Sequence, residues 1–189
     1  MSKVVVPLAD GFEEIEAMAI IDVLRRAGIN VSIAGLHSGP VESARKVKVI
    51  PDTTIDTISA EDFDMIVLPG GQPGADNLNA DERVGKLIRE FRDKGKFTAA
   101  ICAAPYVLAN AGVLEGKRAT AFPSFSKRLG SAVYTEQSVV EDGKVLTSRG
   151  PGTAICFALA LAEKLAGKEK AASVKEAMLV RDDCDRSSS

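Results

Sequence analysis

The sequence of 189 residues contains a single histidine, His37, and this scarcity limits the chemistry open to the chain. A histidine-based metal site needs two or more imidazoles, and a Cys-His catalytic pair needs an imidazole that can reach the thiol. His37 follows a predicted strand in a polar loop, where we expect it to face solvent. We therefore predict no metal site and no cofactor, and an activated cysteine would depend on a carboxylate or on backbone N–H groups.

Cysteine is also scarce, with three residues that lie far apart at Cys102, Cys156 and Cys184. An odd and scattered set does not form a disulfide framework, which indicates a reducing compartment, and we expect a cytoplasmic protein. Cys156 lies in an apolar helical run and is expected in the core. Cys184 lies near the C-terminus, where nothing in the sequence would activate its thiol.

The chain lacks a large excess of either charge, and it lacks long apolar runs. It has 24 Lys and Arg against 26 Asp and Glu, so we expect no nucleic-acid site and no attraction to an anionic membrane. The opening run Val4–Ala9 is too short for a signal sequence, and no run approaches the length that spans a bilayer. With 46% hydrophobic residues and no change of composition along the chain, we predict one domain over residues 1–180 and a polar, disordered tail over residues 181–189.

The sequence does contain a regular alternation of apolar, strand-like runs with helical stretches. Strands that alternate with helices are typical of a parallel sheet covered by helices on both faces, and we predict this α/β architecture. A hairpin with Asp142-Gly143 in its turn is expected at 138–148. Strands are predicted at 3–9, 30–35, 63–69 and 97–101, and helices at 12–27, 81–94, 154–166 and 168–180.

Cys102 lies where one of these strands ends. An apolar run over Ala99–Ile101 leads to Cys102, then to small residues and Pro105, where we predict a helix that ends near Gly112. A thiol on such a turn faces the free N–H groups of the helix, which favour negative charge and lower a thiol pKa from about 8.5 to roughly 3.5–7.5. The other interpretation, a small buried hydrophobic residue, stays open on these grounds.

Four turns are expected to meet beyond the carboxyl ends of the strands, which is where parallel sheets bind ligands. They cover residues 10–16, 69–74, 101–105 and 149–153, and we place the candidate site at their intersection. The glycines in these turns do not have the spacing of a dinucleotide fingerprint or of a P-loop.

Each turn around Cys102 offers a chemical group, and each also has an ordinary structural explanation. Gly70 and Gly71 present backbone N–H groups that suit an oxyanion hole, or they simply form a tight turn. The acids within Glu13–Glu16 open a helix, and one of them near the thiol could share its proton. Arg149 could bind a carboxylate or a phosphate, or it forms a structural ion pair.

Taken together, four motifs in this order make the chain, to about Val180, resemble the DJ-one branch of the ThiJ/PfpI superfamily. The motifs are Gly11-Phe-Glu-Glu-Ile-Glu16, Leu68-Pro-Gly-Gly71, Ala99-Ala-Ile-Cys-Ala-Ala-Pro105 and Thr147-Ser-Arg-Gly-Pro-Gly-Thr153. The resemblance implies a flavodoxin-like three-layer sandwich, similar to class I glutamine amidotransferases, and a homodimer.

The resemblance also implies the site and its chemistry. Cys102 would be an oxidisable nucleophile, Glu16 its protonated partner, and the backbone of Gly70, Gly71 and Ala103 would lie on the oxyanion side. The implied activities are a glyoxalase that turns methylglyoxal into lactate without glutathione, and a deglycase acting on glyoxal-modified proteins and nucleotides, in a response to oxidative stress. We therefore expect a lyase or hydrolase for small 2-oxoaldehydes and their early adducts. The alternative is a redox-sensing chaperone in which oxidation of Cys102 to sulfinic acid is the signal.

Two positions depart from the family's pattern. Protease-like members have a histidine directly after the cysteine, where this chain has Ala103, so peptidase activity is not expected. Many relatives have a histidine before the proline of a later loop, where this chain has Phe122, and this leaves the rate and the proton route open. We carry over Arg45, Arg149, Pro151 and Phe122 as residues of the substrate site or the dimer interface.

Overall fold

Eight strands hydrogen-bond side by side in the computed structural model, which describes residues 1–181, 184 and 186–188. The strands of these residues are β1 (Lys3–Leu8), β2 (Asn30–Gly35), β3 (Val41–Glu42), β4 (Lys48–Val49), β5 (Thr53–Thr54), β6 (Met65–Leu68), β7 (Phe97–Ile101), β8 (Arg118–Ala119), β9 (Val133–Tyr134), β10 (Val139–Asp142), β11 (Val145–Ser148) and β12 (Arg186–Ser188). The helices are α1 (Glu14–Arg26), α2 (Gly74–Ala80), α3 (Glu82–Asp93), α4 (Pro105–Asn110), α5 (Ala154–Ala166) and α6 (Lys168–Ala177). Short 3₁₀ helices lie at Ile55–Thr57, Ala60–Asp62, Pro123–Arg128 and Pro151–Thr153.

The large sheet has the strand order β12-β10-β11-β7-β6-β1-β2-β5. Neighbouring strands run parallel except at the predicted β10–β11 hairpin, which is antiparallel. The short pairs β3–β4 and β8–β9 form two separate small sheets. The structure confirms the predicted flavodoxin-like architecture of a mostly parallel sheet between helices.

The central strands are buried on both faces because their apolar residues alternate between two cores. In β1, Val4 and Val6 belong to the core under α1 and α5, whereas Val5 belongs to the core under α3 and α4. The same alternation places Val67 of β6 in the first core and Leu68 in the second. Continuous apolar runs in the sequence therefore correspond to strands with no solvent-facing side.

The helices follow the predicted pattern with three differences. The helix predicted over 168–180 ends at Ala177, and Leu179 beyond it has a left-handed φ of +57°. The predicted helix over 12–27 begins at Glu14, because Gly11 has a φ of +84° and the chain first turns through Phe12. The helix α2 was missed, since its seven residues begin with a glycine and contain two asparagines. Within the described residues, no helix is both long and apolar enough to cross a membrane.

The C-terminal segment corrects the prediction about cysteine. Cys156, in the first turn of α5, and Cys184 form a disulfide with their Cα atoms 5.4 Å apart, although 28 positions separate them in sequence. The expectation of no disulfide was wrong because α6 brings the chain back to the start of α5, which spacing alone does not reveal. Because two of the three cysteines are paired, the cysteines no longer support the prediction of a reducing compartment. Of the tail predicted to be disordered, the structure describes 181, 184 and 186–188, and Arg186–Ser188 run parallel to β10; the other tail residues lie outside the described part.

Candidate active site

The four predicted turns meet at the carboxyl ends of β1, β6, β7 and β11. The turn after β1 is joined to the turn after β6, because the N–H of Glu13 donates to the carbonyl of Gly70 at 2.9 Å. The turn after β7 is joined to the end of β11, because the N–H of Cys102 donates to the carbonyl of Ser148 at 2.9 Å. These links bring residues from four separate parts of the chain into one site.

Cys102 occupies the sharp bend between β7 and α4. Its φ of +65° lies in the left-handed region, which L-residues with a side chain adopt only at some cost in energy. The buried small residues Ala103 and Ala104 let the chain turn directly into α4. The thiol is free and partly exposed, so the bend presents it to solvent, as in the nucleophile elbow of hydrolases.

Gly70 closes one side of this bend and leaves no room for a side chain. A Cβ atom there would lie 2.7 Å from the Cβ of Cys102 and 2.9 Å from Oε2 of Glu16. The close approach of the Gly70 backbone is therefore what allows the thiol and the carboxyl group to be neighbours.

Glu16 is fully buried in the first turn of α1. Its Oε2 accepts a hydrogen bond from the N–H of Gly70 at 2.8 Å, in a buried environment. Its Oε1 is also buried and, among the described residues, meets no donor in hydrogen-bonding geometry, although the thiol of Cys102 is close enough to influence the carboxyl group. Burial raises the pKa of Glu16 to about 7, against the opposing effects of Cys102 and the Gly70 N–H.

The thiol pKa differs from the prediction. Burial, followed by the negative charge of Glu16, raises the pKa of Cys102 to about 12, whereas a lowered value was expected. The backbone N–H groups of Gly71 and Ala103 act in the opposite direction but do not outweigh these effects. The expected helix contribution is small because α4 begins only at Pro105, has six residues and offers no N–H at that first position.

Burial is the first cause of both shifts, and the charge of Glu16 adds only to the shift of Cys102; once Glu16 is ionised, the thiol beside it cannot easily become charged as well. Such a pair loses its protons in two steps that belong to the pair. The first step, near pH 7, leaves one proton in the pair, and this proton is held mainly by the sulfur because the thiol has the higher pKa. A thiolate forms only when that proton passes to Glu16. The thiol pKa of about 12 describes the second step, in which Cys102 ionises beside a carboxylate that is already charged.

The other predicted residues lie at different distances from this pair. Phe122 donates its N–H to the carbonyl of Cys102 at 2.8 Å, and its ring faces Gly150. The guanidinium of Arg149 donates to the carbonyl of Glu136 and to the hydroxyl of Tyr134, so it braces neighbouring loops.

Two further predicted residues lie in loops around the site. Pro151 begins the 3₁₀ helix that leads into α5. Arg45 lies exposed on the β3–β4 turn, which is fixed to the loop after β1 by the hydrogen bond from the N–H of Ala44 to the carbonyl of Phe12. Within the described residues, Arg45 forms no hydrogen bond or ion pair with Cys102; its N–H donates to the hydroxyl of Ser43.

The structure adds one residue in contact with the Cys102 bend that the sequence reasoning did not single out. Ser148, buried at the end of β11, accepts the N–H of Cys102 through its carbonyl, while its hydroxyl pairs with that of Thr153 at 2.7 Å. The sequence feature that could have indicated this residue is a serine at the end of an apolar strand, directly before Arg149-Gly-Pro-Gly152. In the part of the chain that is described, no group of three or more His, Cys, Asp or Glu residues is arranged to hold a metal ion.

Comparisons with known proteins agree with this fold. The model of the DJ-1/PfpI family matches residues 2–164. Protein dj-1beta of Drosophila melanogaster is 47% identical over 184 residues, which cover 95% of this chain and 98% of that protein, and its crystal structure superimposes with a TM-score of 0.90. A structure of oxidized Toxoplasma gondii DJ-1, 39% identical, has a TM-score of 0.91 and is covered over 98% of its length, with 95% of this chain. The glutathione-independent glyoxalase DJR-1.2 of Caenorhabditis elegans is 37% identical over 164 residues, or 86% of this chain and 87% of that protein.

Proposed function

The chain belongs to the DJ-1/PfpI family, and from this membership we propose that it is a glutathione-independent glyoxalase, with methylglyoxal as the representative substrate. The observation that carries the proposal is a free, partly exposed thiol beside a buried carboxyl group whose pKa is raised to about 7. This pair supplies a nucleophile and an exchangeable proton at neutral pH without a cofactor. The activity named for the Caenorhabditis elegans relative supports the same reaction class.

The reaction begins with addition of the Cys102 sulfur to the aldehyde carbon. The new C–S bond forms as the C=O π bond opens, and the aldehyde oxygen takes the proton of Glu16 to give a hemithioacetal. The carboxyl group of Glu16 suits this transfer because it is buried, influences the thiol of Cys102, and has an oxygen, Oε1, that meets no hydrogen-bond donor within the described residues. The N–H groups of Gly71 and Ala103, which act on the sulfur, would stabilise the oxyanion that develops next to it.

The Glu16 carboxylate then moves a proton between the two adjacent carbons of the substrate. It removes the proton from the former aldehyde carbon, and through an enediol a proton is delivered to the former ketone carbon. The first carbon is thereby oxidised to a thioester and the second is reduced to an alcohol. Water cleaves the thioester, restores the thiol and releases the acid, so that one 2-oxoaldehyde and one water give one 2-hydroxy acid.

A deglycase activity on early glyoxal and methylglyoxal adducts of proteins and nucleotides would use the same thiol. Such adducts carry a carbon at the same oxidation level as the hemithioacetal, so transfer of that carbon to Cys102 enters the same sequence of steps. The test is the rate at which the protein releases the amine from a preformed adduct. A rate above that of spontaneous dissociation of the adduct supports this extension, and a rate equal to it contradicts the extension.

Product formation from methylglyoxal tests the proposed function. We expect the purified native chain to form lactate without glutathione, with one enantiomer in excess, because a proton delivered by Glu16 reaches one face of the enediol. Cys102→Ser should reduce turnover at least about a hundredfold, since the hydroxyl is a much weaker nucleophile than a thiolate. Lactate formation by Cys102→Ser at the native rate would overturn the proposal.

The redox-sensing alternative is supported by the partial exposure of the same free thiol. Peroxide would oxidise a Cys102 thiolate to sulfenic and then sulfinic acid, and Glu16 could hydrogen-bond the added oxygens. Mass spectrometry after mild peroxide treatment separates the two functions. Sulfinic acid at Cys102 in a protein that does not turn over methylglyoxal favours the sensor, and turnover without facile oxidation favours the enzyme.

A homodimer is the assembly that we propose, and exposed apolar side chains support it. Ile15 and Met18 on α1 are 58% and 37% exposed, and Ile155 on the adjoining helix α5 is 41% exposed. Covering such side chains with a second copy would remove apolar surface from water. Light scattering should give twice the chain mass of 19.9 kDa, and a single-chain mass at micromolar concentration would contradict the dimer.

A further inference from the structure

Phe122 is the one strongly exposed aromatic residue of this chain. All seven phenylalanines and both tyrosines lie in the described part, and of these nine rings only that of Phe122 is classed as exposed, at 43%. Exposure of an apolar ring to water is unfavourable in free energy, and a bound apolar group that covers the ring removes that exposure. The location of the ring decides whether that exposure has a functional meaning.

The backbone of Phe122 is joined to that of Cys102, so Phe122 lies at the same end of the sheet as the thiol. The N–H of Phe122 donates to the carbonyl of Cys102, and the ring lies against Gly150, where an added Cβ would be 3.3 Å from a ring carbon. Gly150 follows β11, and β11 is the neighbour of β7 on the side away from β6. Phe122 and Gly150 therefore form the β11 side of the site, whereas Glu16 and Gly70 form the opposite side.

The position of Phe122 is fixed by the segment that follows it. The 3₁₀ helix Pro123–Arg128 begins directly after Phe122. Its Arg128 guanidinium lies 3.7 Å from the ring centroid of Tyr106, and Phe125 stacks on the same ring at 5.7 Å. The hydroxyl of Tyr106, which is buried on α4, donates to the carboxylate of Asp76. Because this stack connects the loop to the helix that follows Cys102, we expect the ring to keep its place relative to the thiol.

The thiol thus has one polar side and one apolar side. The polar side holds the Glu16 carboxyl group and the N–H of Gly71. On the β11 side, two nitrogens of the Arg149 guanidinium donate to Glu136 and Tyr134, and the ring of Phe122 against Gly150 is an exposed apolar surface. A 2-oxoaldehyde whose oxygen faces the polar side would direct the substituent on its ketone carbon toward the ring.

We propose that Phe122 is a specificity-determining residue that selects 2-oxoaldehydes with an apolar substituent, above all an aromatic one, over glyoxal. This inference rests on the proposed glyoxalase function and names the substrate class of that site. The substituent gains burial against the ring and, when it is aromatic, an offset-stacked or edge-to-face contact. Glyoxal, which has only hydrogen at that position, gains neither.

The test compares kcat/KM for phenylglyoxal and for glyoxal in the native chain and in two variants of Phe122. We expect Phe122→Ala to lower the phenylglyoxal-to-glyoxal ratio about tenfold, and Phe122→Leu, which keeps an apolar side chain, to lower it less. Phe97→Ala is the matched control, because Phe97 is a partly exposed phenylalanine at the opposite end of β7. Its ratio should stay within about twofold of the native value. Thermal unfolding of each variant establishes that it is folded.

The outcomes separate this inference from the proposed function. If all three proteins turn over both substrates with the native ratio, Phe122 does not determine specificity, while the glyoxalase function stands. If the native chain turns over neither substrate, the proposed function fails and the inference fails with it. A ratio that falls equally in Phe97→Ala also overturns it, because the effect would then come from general destabilisation.

Discussion

At the scale of single residues, the site depends on Glu16 being buried at a place where the N–H of Gly70 donates to its carboxyl group. The N–H of Gly70 stabilises the carboxylate, but burial outweighs it and raises the pKa to about 7. A residue whose pKa is tuned for proton transfer at neutral pH therefore makes the fold less stable at that pH.

The free energy of unfolding should show this cost of burying Glu16. Its pKa is about 7 in the folded chain against an ordinary value of 4.5, so the folded state binds the proton more tightly. The contribution of Glu16 to stability is complete below about pH 4.5 and is lost as the pH rises through 7, by about 3 kcal/mol. We expect Glu16→Gln to gain stability relative to the native chain over this interval, measured by urea unfolding.

Other carboxyl groups also change stability with pH, so the difference between variant and native chain is the quantity to follow. Glu82→Gln, at an exposed position in the first turn of α3, is the control for the loss of a carboxyl group. A difference for Glu16→Gln that stays constant from pH 4.5 to 8 would show that Glu16 is not held in its neutral form.

Residue positions could be predicted from the sequence more easily than their energetics. The run of small residues around Cys102 and the following Pro105 predicts a sharp bend, and the φ of +65° agrees with that prediction. The direction of the thiol pKa could not be predicted, because it depends first on the burial of the thiol and then on a glutamate 86 positions earlier, and only the folded chain determines both.

At the scale of elements, the start of β7 is fastened to the segment before β6 by one lysine. Lys96 donates to three backbone carbonyls, those of Ala60 at 2.5 Å, Phe63 at 2.7 Å and Glu61 at 2.9 Å. These carbonyls belong to the 3₁₀ helix Ala60–Asp62 and its end. The ammonium group therefore helps to align the two strands whose carboxyl ends form the site.

Replacing Lys96 by methionine keeps the aliphatic stem and removes the three hydrogen bonds. We expect Lys96→Met to lose about 1–3 kcal/mol of stability in urea unfolding, since partly buried carbonyls lose a charged donor. Lys86→Met, at an exposed position on α3, should change stability by no more than about 0.5 kcal/mol. Equal effects of the two substitutions would contradict a role for Lys96 in joining the strands.

Elements with strong patterns were predicted well, and short ones were not. The helix α5 has the predicted bounds because nine consecutive apolar residues, Ala154–Ala162, begin it and Gly167 directly follows its end. The helix α2 and the edge strands β5 and β12 are too short for a periodic pattern, and tertiary contacts determine them.

At the scale of the whole molecule, the Cys156–Cys184 disulfide joins the C-terminal segment to α5, the helix that follows residues 149–153 of the site. A cross-link stabilises a fold mainly by restricting the unfolded chain, and a separation of 28 residues corresponds to about 3 kcal/mol. We expect Cys184→Ser to lower the free energy of unfolding by about this amount under non-reducing conditions. Cys102→Ser, which leaves the disulfide intact, is the control.

Thiol counting in denaturant gives an independent check of the same prediction. The native chain should show one reactive thiol before reduction and three after it. Three thiols before reduction, together with equal stabilities of the native chain and Cys184→Ser, would contradict the cross-link. The sequence could not predict this feature, because the alternation of strands and helices fixes the sheet but not the path of residues beyond α6.

The central claim is that Cys102 and Glu16 act as one unit in the conversion of a 2-oxoaldehyde to a 2-hydroxy acid. The most direct measurement is kcat/KM for methylglyoxal in the native chain, in Cys102→Ser, in Glu16→Gln and in the double variant. Each single substitution should remove nearly all activity, and the double variant should be no less active than the more impaired single variant. When two groups act as a unit, replacing one already removes the contribution of the other. Substantial activity in Glu16→Gln, or losses that multiply in the double variant, would contradict the account.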